Sequence, residues 1–223
     1  MARNVSILFA AGIVSVAIIA CGNQSDEAAP NTLTSEEKAE GWELLFNGEN
    51  LEGFHTLPGG QWEVRDGMIV GTSPASEQRH GLLVTDREYD DYTLRLQYRS
   101  MEGNSGVYFR AEEVDGAVGV HGFQAEVDAD GQSVGGLYET GGRQWVVQPD
   151  QSEVEQFYKP REWNEMTIQA DGGHIIVHVN GQKTAELQDD PGREQGHIAL
   201  QLHGGMEMHV MYKNLKVLEG SGK

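Results

Sequence analysis

Gln124, Glu126 and Asp128 fall two residues apart in the segment His121–Trp145, HGFQAEVDADGQSVGGLYETGGRQW. On a β-strand successive side chains point to opposite faces, so these three share one face while Phe123, Ala125 and Val127 share the other. Neighbours on that face stand roughly 7 Å apart. The result is a row of one amide and two carboxyl groups. Glu126, in the middle of the row, is the candidate general acid or base. Gln124 and Asp128 are candidates for orienting hydroxyl groups. The Gly-rich stretch that follows adds Tyr138, Arg143 and Trp145, whose indole offers an apolar plate for a ring. The row reads either as the floor of a polar pocket or as a solvated sheet face.

Two other stretches offer complementary chemistry. In GVYFR, Tyr108 and Arg110 alternate onto one face, and the guanidinium is suited to holding negative charge on an oxygen; its alternative is an internal ion pair with Glu126. In IALQLHGG, Gln201 and His203 share a face. Imidazole carries protons near neutral pH or ligates a metal, or it caps the turn before Gly204. The other histidines are scattered. His174 and His178, at i and i+4 of a strand, stand roughly 13 Å apart, too far to share one metal. The sequence therefore leaves metal and cofactor unassigned.

These residues need strands to hold them, and the chain supplies strand patterns almost throughout. Trp62–Val64 and Met68–Val70 flank Asp66-Gly67, a hairpin signal because both turn residues tolerate positive φ. Tyr92, Leu94, Leu96 and Tyr98 alternate with polar residues, which predicts a strand with one buried face. Gly106–Arg110 follows a short Gly-Asn-Ser turn, which predicts an antiparallel pair with that strand. Residues 167–170, 174–179 and 184–187, joined by Asp171-Gly172-Gly173 and Asn180-Gly181, read as a three-stranded meander. Residues 198–202 and 208–218 read as two closing strands. Around a dozen short strands with Gly-rich turns predict an all-β, two-sheet antiparallel sandwich of jelly-roll type, with Trp42, Trp62 and Trp163 in its core. One helical turn is expected after Thr34, where Thr34 and Glu37 have capping-box spacing.

The formal net charge of −19 argues against nucleic acid and anionic membrane surfaces as partners and favours a neutral or cationic ligand. Cys21 is the only cysteine, so no intramolecular disulfide and no cysteine-based metal site can form. It follows Arg3 and an apolar run from Val5 to Ala20, of signal-peptide length. Ile18-Ile19-Ala20-Cys21 resembles the bacterial lipobox. Residues 1–20 are expected to be a cleaved leader, Cys21 a lipidated N-terminus, and residues 21–40 a tether with its helical turn. Membrane attachment would then run through the lipid alone, at the bacterial cell envelope, periplasmic or surface-exposed.

Five stretches occur in the order GWELLFNGENLEGF (41–54), GNSGVYFR (103–110), GFQAEVDADGQSVGGLYETGGRQW (122–145), REWNEMTIQADGGHIIVHVNG (161–181) and GHIALQLHGGMEMHVMYKNLKV (196–217). Together they resemble the 3-keto-disaccharide hydrolase family over residues 41–218, leaving 219–223 as a tail. The resemblance implies a concanavalin A-like fold and an oxidised glycoside or oligosaccharide as substrate. It also implies elimination across C1–C2, hydration of the resulting 2-hydroxy-glucal, or both in sequence. On that reading Glu126, Arg110 and His203 are the catalytic candidates, the first as acid or base and the other two holding oxyanion charge. Gln124, Asp128, Tyr108, Tyr138, Arg143, Trp145 and Gln201 are the substrate-binding candidates. Laminarinase-like glucanases, which share this broad fold, carry a Glu-x-Asp-x-x-Glu strand. Here the first position is Gln124, and an amide cannot act as a carboxylate nucleophile. A non-catalytic sugar-binding module and a conventional glycosidase are the alternatives, and the oligomeric state is left open.

Overall fold

A computed structural model describes Met1 and residues 29–220. The leader, Cys21 and the first part of the tether lie outside the described residues, as do residues 221–223. The elements run α1 (Ser35–Glu40), β1 (Glu43–Leu44), β2 (Phe54–Leu57), β3 (Gln61–Arg65), β4 (Met68–Ser73), β5 (Gly81–Thr85), β6 (Tyr92–Glu102), β7 (Asn104–Glu113) and β8 (Val120–Asp128). They continue β9 (Leu137–Thr140), β10 (Gln144–Val147), α2 (Gln151–Val154), β11 (Asn164–Asp171), β12 (His174–Val179), β13 (Gln182–Leu187), β14 (His197–Leu202) and β15 (Met208–Glu219). One sheet has the order β13-β12-β11-β6-β15-β4-β3, with β1 also against β15; the other has the order β10-β9-β8-β7-β14-β5-β2. The all-β, two-sheet antiparallel sandwich is the expected one.

Alternation decides what each sheet gives to the interior. Tyr92, Leu94, Leu96 and Tyr98 of β6 meet Phe123, Ala125 and Val127 of β8 in one core, all essentially without solvent exposure. The turns obey their chemistry. Asp66 and Gly67 have φ of 52° and 72°, and Asn180 and Gly181 have 49° and 77°, the left-handed pair that a two-residue hairpin turn demands. The expected meander is present as β11–β12–β13. Thr34 and Glu37 form the reciprocal capping box of α1.

Three expectations need correction. Strands β6 and β7 are not paired: β6 lies between β11 and β15, and β7 between β8 and β14, in opposite sheets. A hydrophobic pattern fixes which face of a strand is buried, but not which strand lies beside it. The turn between them is Gly103 alone, so Asn104 and Ser105 belong to the strand. Of the three tryptophans expected in the core, Trp42 is buried and Trp62 packs against the core while half-buried, but Trp163 is half-buried outside it and lies under the Lys213 ammonium at 4.3 Å.

The outward face of the second sheet is not uniformly polar. Leu82, Val84, Tyr108, Ala111, Val120 and Ala199 form a small buried cluster of their own, separate from the main core. The 114–119 loop helps to cover this face; its Ala117 carbonyl accepts the His80 backbone N–H at 2.7 Å. A cleft remains beside the loop.

Candidate active site

The cleft, of ≈ 330 Å³, is lined by His80, Asn104, Tyr108, Val118, Gln124, Glu126, Tyr138, Thr140, Trp145, Gln201 and His203. Strand register explains why these meet. Tyr108 pairs with Gln124 across β7–β8, and Gln124 with Tyr138 across β8–β9, so one ladder carries three cleft side chains. Gly106 stands opposite Glu126 in the next ladder. A Cβ on Gly106 would lie 2.3 Å from Gln124 Nε2. The missing side chain is what lets the Gln124 amide lie over β7 and reach Gln201 on β14.

That reach starts a polarised hydrogen-bond chain. Gln124 Nε2 donates to Gln201 Oε1 at 3.2 Å. Gln201 Nε2 donates to His80 Nδ1 at 2.9 Å and to Tyr108 Oη at 3.2 Å, and Tyr108 is 3.0 Å from Thr140 Oγ1. Since His80 accepts at Nδ1, its neutral ring carries the proton on Nε2. Burial, with the neighbouring His203 second, pushes the His80 pKa down from 6.5 to about 4. His80 is therefore a neutral donor at physiological pH. The His203 ring packs edge-on against it, 4.4 Å between centroids. His203 Nδ1 lies 2.7 Å from the Gly204 carbonyl and must donate to it, which leaves Nε2 as the basic nitrogen of the neutral ring.

Glu126 is only 5% exposed. Asn104 Nδ2 donates to its Oε2 at 3.2 Å, and among the described residues no cation is paired with it. Burial raises its pKa from 4.5 to about 8, outweighing the Asn104 hydrogen bond, with the Asp128 charge adding to the rise. A carboxyl in this environment is a protonated acid at neutral pH. Trp145, 40% exposed, stands edge-on to Tyr138 at 5.4 Å and forms one wall.

Seven of the ten expected catalytic and binding residues line the cleft: Glu126, His203, Gln124, Tyr108, Tyr138, Trp145 and Gln201. Three do not. Arg110 is the main correction. Two residues of β7, Arg110 and Ala111, fit between the Phe109–Phe123 and Glu112–His121 pairs where β8 has only Gly122, a bulge. Arg110 takes φ 49° there. The bulge breaks the alternation with Tyr108 and sends the guanidinium to the opposite sheet. It donates to the Gly172 carbonyl at 2.7 Å, to the Arg193 and Asp90 carbonyls, and to Asp91 Oδ1 at 3.3 Å. With 1% exposure it is a brace between the sheets, and it neither pairs with Glu126 nor reaches the cleft. Arg143 turns outward to Glu139 and to Asp190, 2.7 Å away. Asp128, at the end of β8, accepts from Asp130 N, Gln132 N and Ser133 Oγ. It shapes the loop that sets Ser133 beside Asn104, 3.1 Å from Nδ2, and so reaches Glu126 through two intermediaries as well as through its charge.

Asn104, His80, Thr140 and Val118 were not foreseen. Asn104 carried a signal, since it lies two residues before Gly106 and four before Tyr108 on one strand, but the Gly-Asn-Ser run read as a turn. His80 carried none, because only the pairing of Gly81 with Leu202 across β5–β14 brings it beside His203.

The family model of the 3-keto-alpha-glucoside-1,2-lyase-like domain matches residues 41–218. Among solved structures, a candidate glycosyl hydrolase from Parabacteroides distasonis is similar at 24% identity and TM-score 0.65, over 86% of this chain and 99% of that one. The carbohydrate binding module CBM66 from Bacillus subtilis is similar at 15% identity and TM-score 0.57, over 74% and 94%. A Bacillus subtilis protein of unknown function with a galectin-like fold gives 14% identity and TM-score 0.58, over 86% and 94%. These likenesses concern the fold. No curated protein matches the sequence.

Proposed function

The chain belongs to the 3-keto-alpha-glucoside-1,2-lyase-like family, and on that premise we propose that it cleaves 3-keto-glycosides by elimination and hydration, a net hydrolysis. The composition of the cleft carries this reading. Its lining holds one carboxyl group, Glu126, and two imidazoles. Ordinary retaining and inverting glycosidases set two carboxyl groups across the scissile bond, and among the described residues no second one lines this cleft. A ketone at C3 changes the requirement. It acidifies the hydrogen at C2, so the site needs a base at C2, a donor at O3 and an acid at O1.

His203 Nε2 takes the C2 proton, and the C2–H electrons move to form the C2–C3 double bond of an enolate. His80 Nε2–H donates to the O3 oxygen as it gains charge, the part expected of Arg110. A neutral imidazole with a depressed pKa can polarise an oxygen in this way without giving up its proton. The enolate then re-forms the ketone as the C1–O1 bond breaks, and Glu126 protonates the departing O1. Water adds to C1 of the 2-hydroxy-glucal and gives its proton to the Glu126 carboxylate, while the His203 imidazolium returns a proton to C2. Both groups end as they began.

The test is product analysis on a 3-keto-disaccharide beside its unoxidised parent. The proposal expects cleavage of the first alone. Equal turnover of both returns the chain to the ordinary glycosidases, and binding without turnover of either makes it a sugar-binding module.

A further inference from the structure

Beyond Trp145 lies a second depression of ≈ 270 Å³, lined by Gln132, Ser133, Trp145, Gln148, Pro149 and Gln151. It shares the indole with the catalytic cleft, so Trp145 divides two adjoining sites. Its lining is free of charge on a chain of net −19. Three amides, a hydroxyl and an aromatic wall are the groups that recognise a neutral polyol ring. Gln151 Oε1 is buried there and accepts no hydrogen bond from the described residues, while Gln151 Nε2 is committed to the Pro149 carbonyl at 3.0 Å. A buried acceptor without a donor is costly, and a small turn of the amide towards the depression would let a ligand hydroxyl satisfy it. The indole is seated closely: a Cβ on Gly136 would lie 2.8 Å from Trp145 Cζ3, so the glycine lets the ring settle on the β9 side of the wall.

We propose that this depression is a second sugar subsite, holding the neutral pyranose that leaves when the glycosidic bond breaks. The assignment rests on reading the cleft as the site of the 3-keto ring. Direction comes from Asn104, whose Nδ2 donates both to Glu126 in the cleft and to Ser133 in the depression. The acid thus stands on the side of the cleft that adjoins the depression, where the bridging oxygen of a disaccharide must receive its proton. The groove on the His80 side is lined by Arg79, Glu113 and Asp115, a charged setting less suited to a neutral ring.

The experiment compares the full chain with its Gln151→Ala and Gln148→Ala variants on a glucosyl 3-keto-disaccharide and on methyl 3-keto-glucoside, which has no second ring. Loss of one ligand hydrogen bond should lower kcat/KM on the disaccharide about tenfold in Gln151→Ala, mainly through KM, and leave the methyl glycoside unchanged. Gln148 is exposed, so its variant tests the same split if Gln151→Ala folds poorly. An equal fall on both substrates, or an unchanged disaccharide in both variants, overturns the subsite. If the wild type cleaves neither substrate, the proposed function fails and the subsite is judged by binding alone. Maltose must then shift the Trp145 indole N–H resonance, and more weakly in Gln151→Ala; no shift overturns it.

Discussion

Replacing Glu126 by Gln should slow the enzyme and stabilise the protein at high pH, two effects that a simple structural role would not join. The folded carboxyl holds its proton to about pH 8 against an ordinary value of 4.5, chiefly because it is buried. Below about pH 4.5 both the folded and the unfolded chain hold the proton, and stability does not depend on it. Between there and about pH 8 the unfolded chain releases a proton that the folded chain keeps, so stability falls as pH rises. Above about 8 both are ionised and the loss is complete. At about 1.4 kcal/mol per pKa unit the ceiling is ~5 kcal/mol. Glu126 lines a cleft that water enters, and half of that or less is the working figure. A glutamine has no ionisation to lose and can present Oε1 to Asn104. Differential scanning should give a variant within a degree or two of wild type at pH 5 and higher by roughly 3–8 °C at pH 9, since about 1 kcal/mol moves a domain of this size by 2–4 °C. Turnover of a 3-keto-glycoside should fall roughly 10²–10⁴-fold, and the wild-type rate should decline as pH rises through about 8, where the acid loses its proton. A Tm difference that is the same at pH 5 and pH 9 would refute the buried, unpaired carboxyl. A wild-type rate that rises through pH 8 would make Glu126 a base.

Arg110→Met should take the cation from Asp91, which keeps only the Gly172 N–H, and the guanidinium donor from several carbonyls, costing ~3–5 kcal/mol; a lower Tm with kcat per folded molecule within about threefold checks that the bulge made it a brace. Gly106→Ala places a methyl group against the Gln124 amide and should raise KM several-fold with little change in Tm, because the clash falls on the cleft network and not on the core. For location we propose that Cys21 carries lipid, so Cys21→Ser should move the protein out of the membrane fraction on cell fractionation. A processed Cys21→Ser protein that stays with membranes refutes the anchor.

The fold was legible because its determinants are local. The 2-residue period of Phe123, Ala125 and Val127 fixes a buried face wherever β8 sits, and Asp66-Gly67 and Asn180-Gly181 close hairpins with whatever strands flank them. The same period placed Gln124 and Glu126 together, and Gln201 with His203. It failed where the backbone departs from regularity. At Arg110 one extra residue reverses the face of everything drawn from the count, and the sequence VYFRAEE gives no sign that a non-glycine residue will take φ 49°. Sheet membership was beyond it too. β6 and β7 are separated by Gly103 alone yet lie in opposite sheets, so the apparent hairpin was a corner.

The chemistry of the cleft depends on the part that local pattern misses. Burial keeps Glu126 protonated, and among the described residues no cation stands beside it to reverse that, which follows from where Arg110 goes. Had the alternation continued, the guanidinium would have faced the same side as Tyr108 and could have drawn the carboxyl towards ionisation, as a nearby positive charge does. The bulge spends Arg110 on the opposite sheet, leaves Glu126 buried with a single amide donor, and on the proposed mechanism leaves the oxyanion position to His80. His80 immediately precedes β5, the neighbour of β14, and meets His203 through the β5–β14 register. A neutral imidazole in that position suits a ketone that must be polarised transiently, because it donates a hydrogen bond without holding a permanent positive charge against the product. On the proposed mechanism, one irregularity in β7 therefore bears on both the protonation state of the acid and the identity of the group that faces the substrate oxygen.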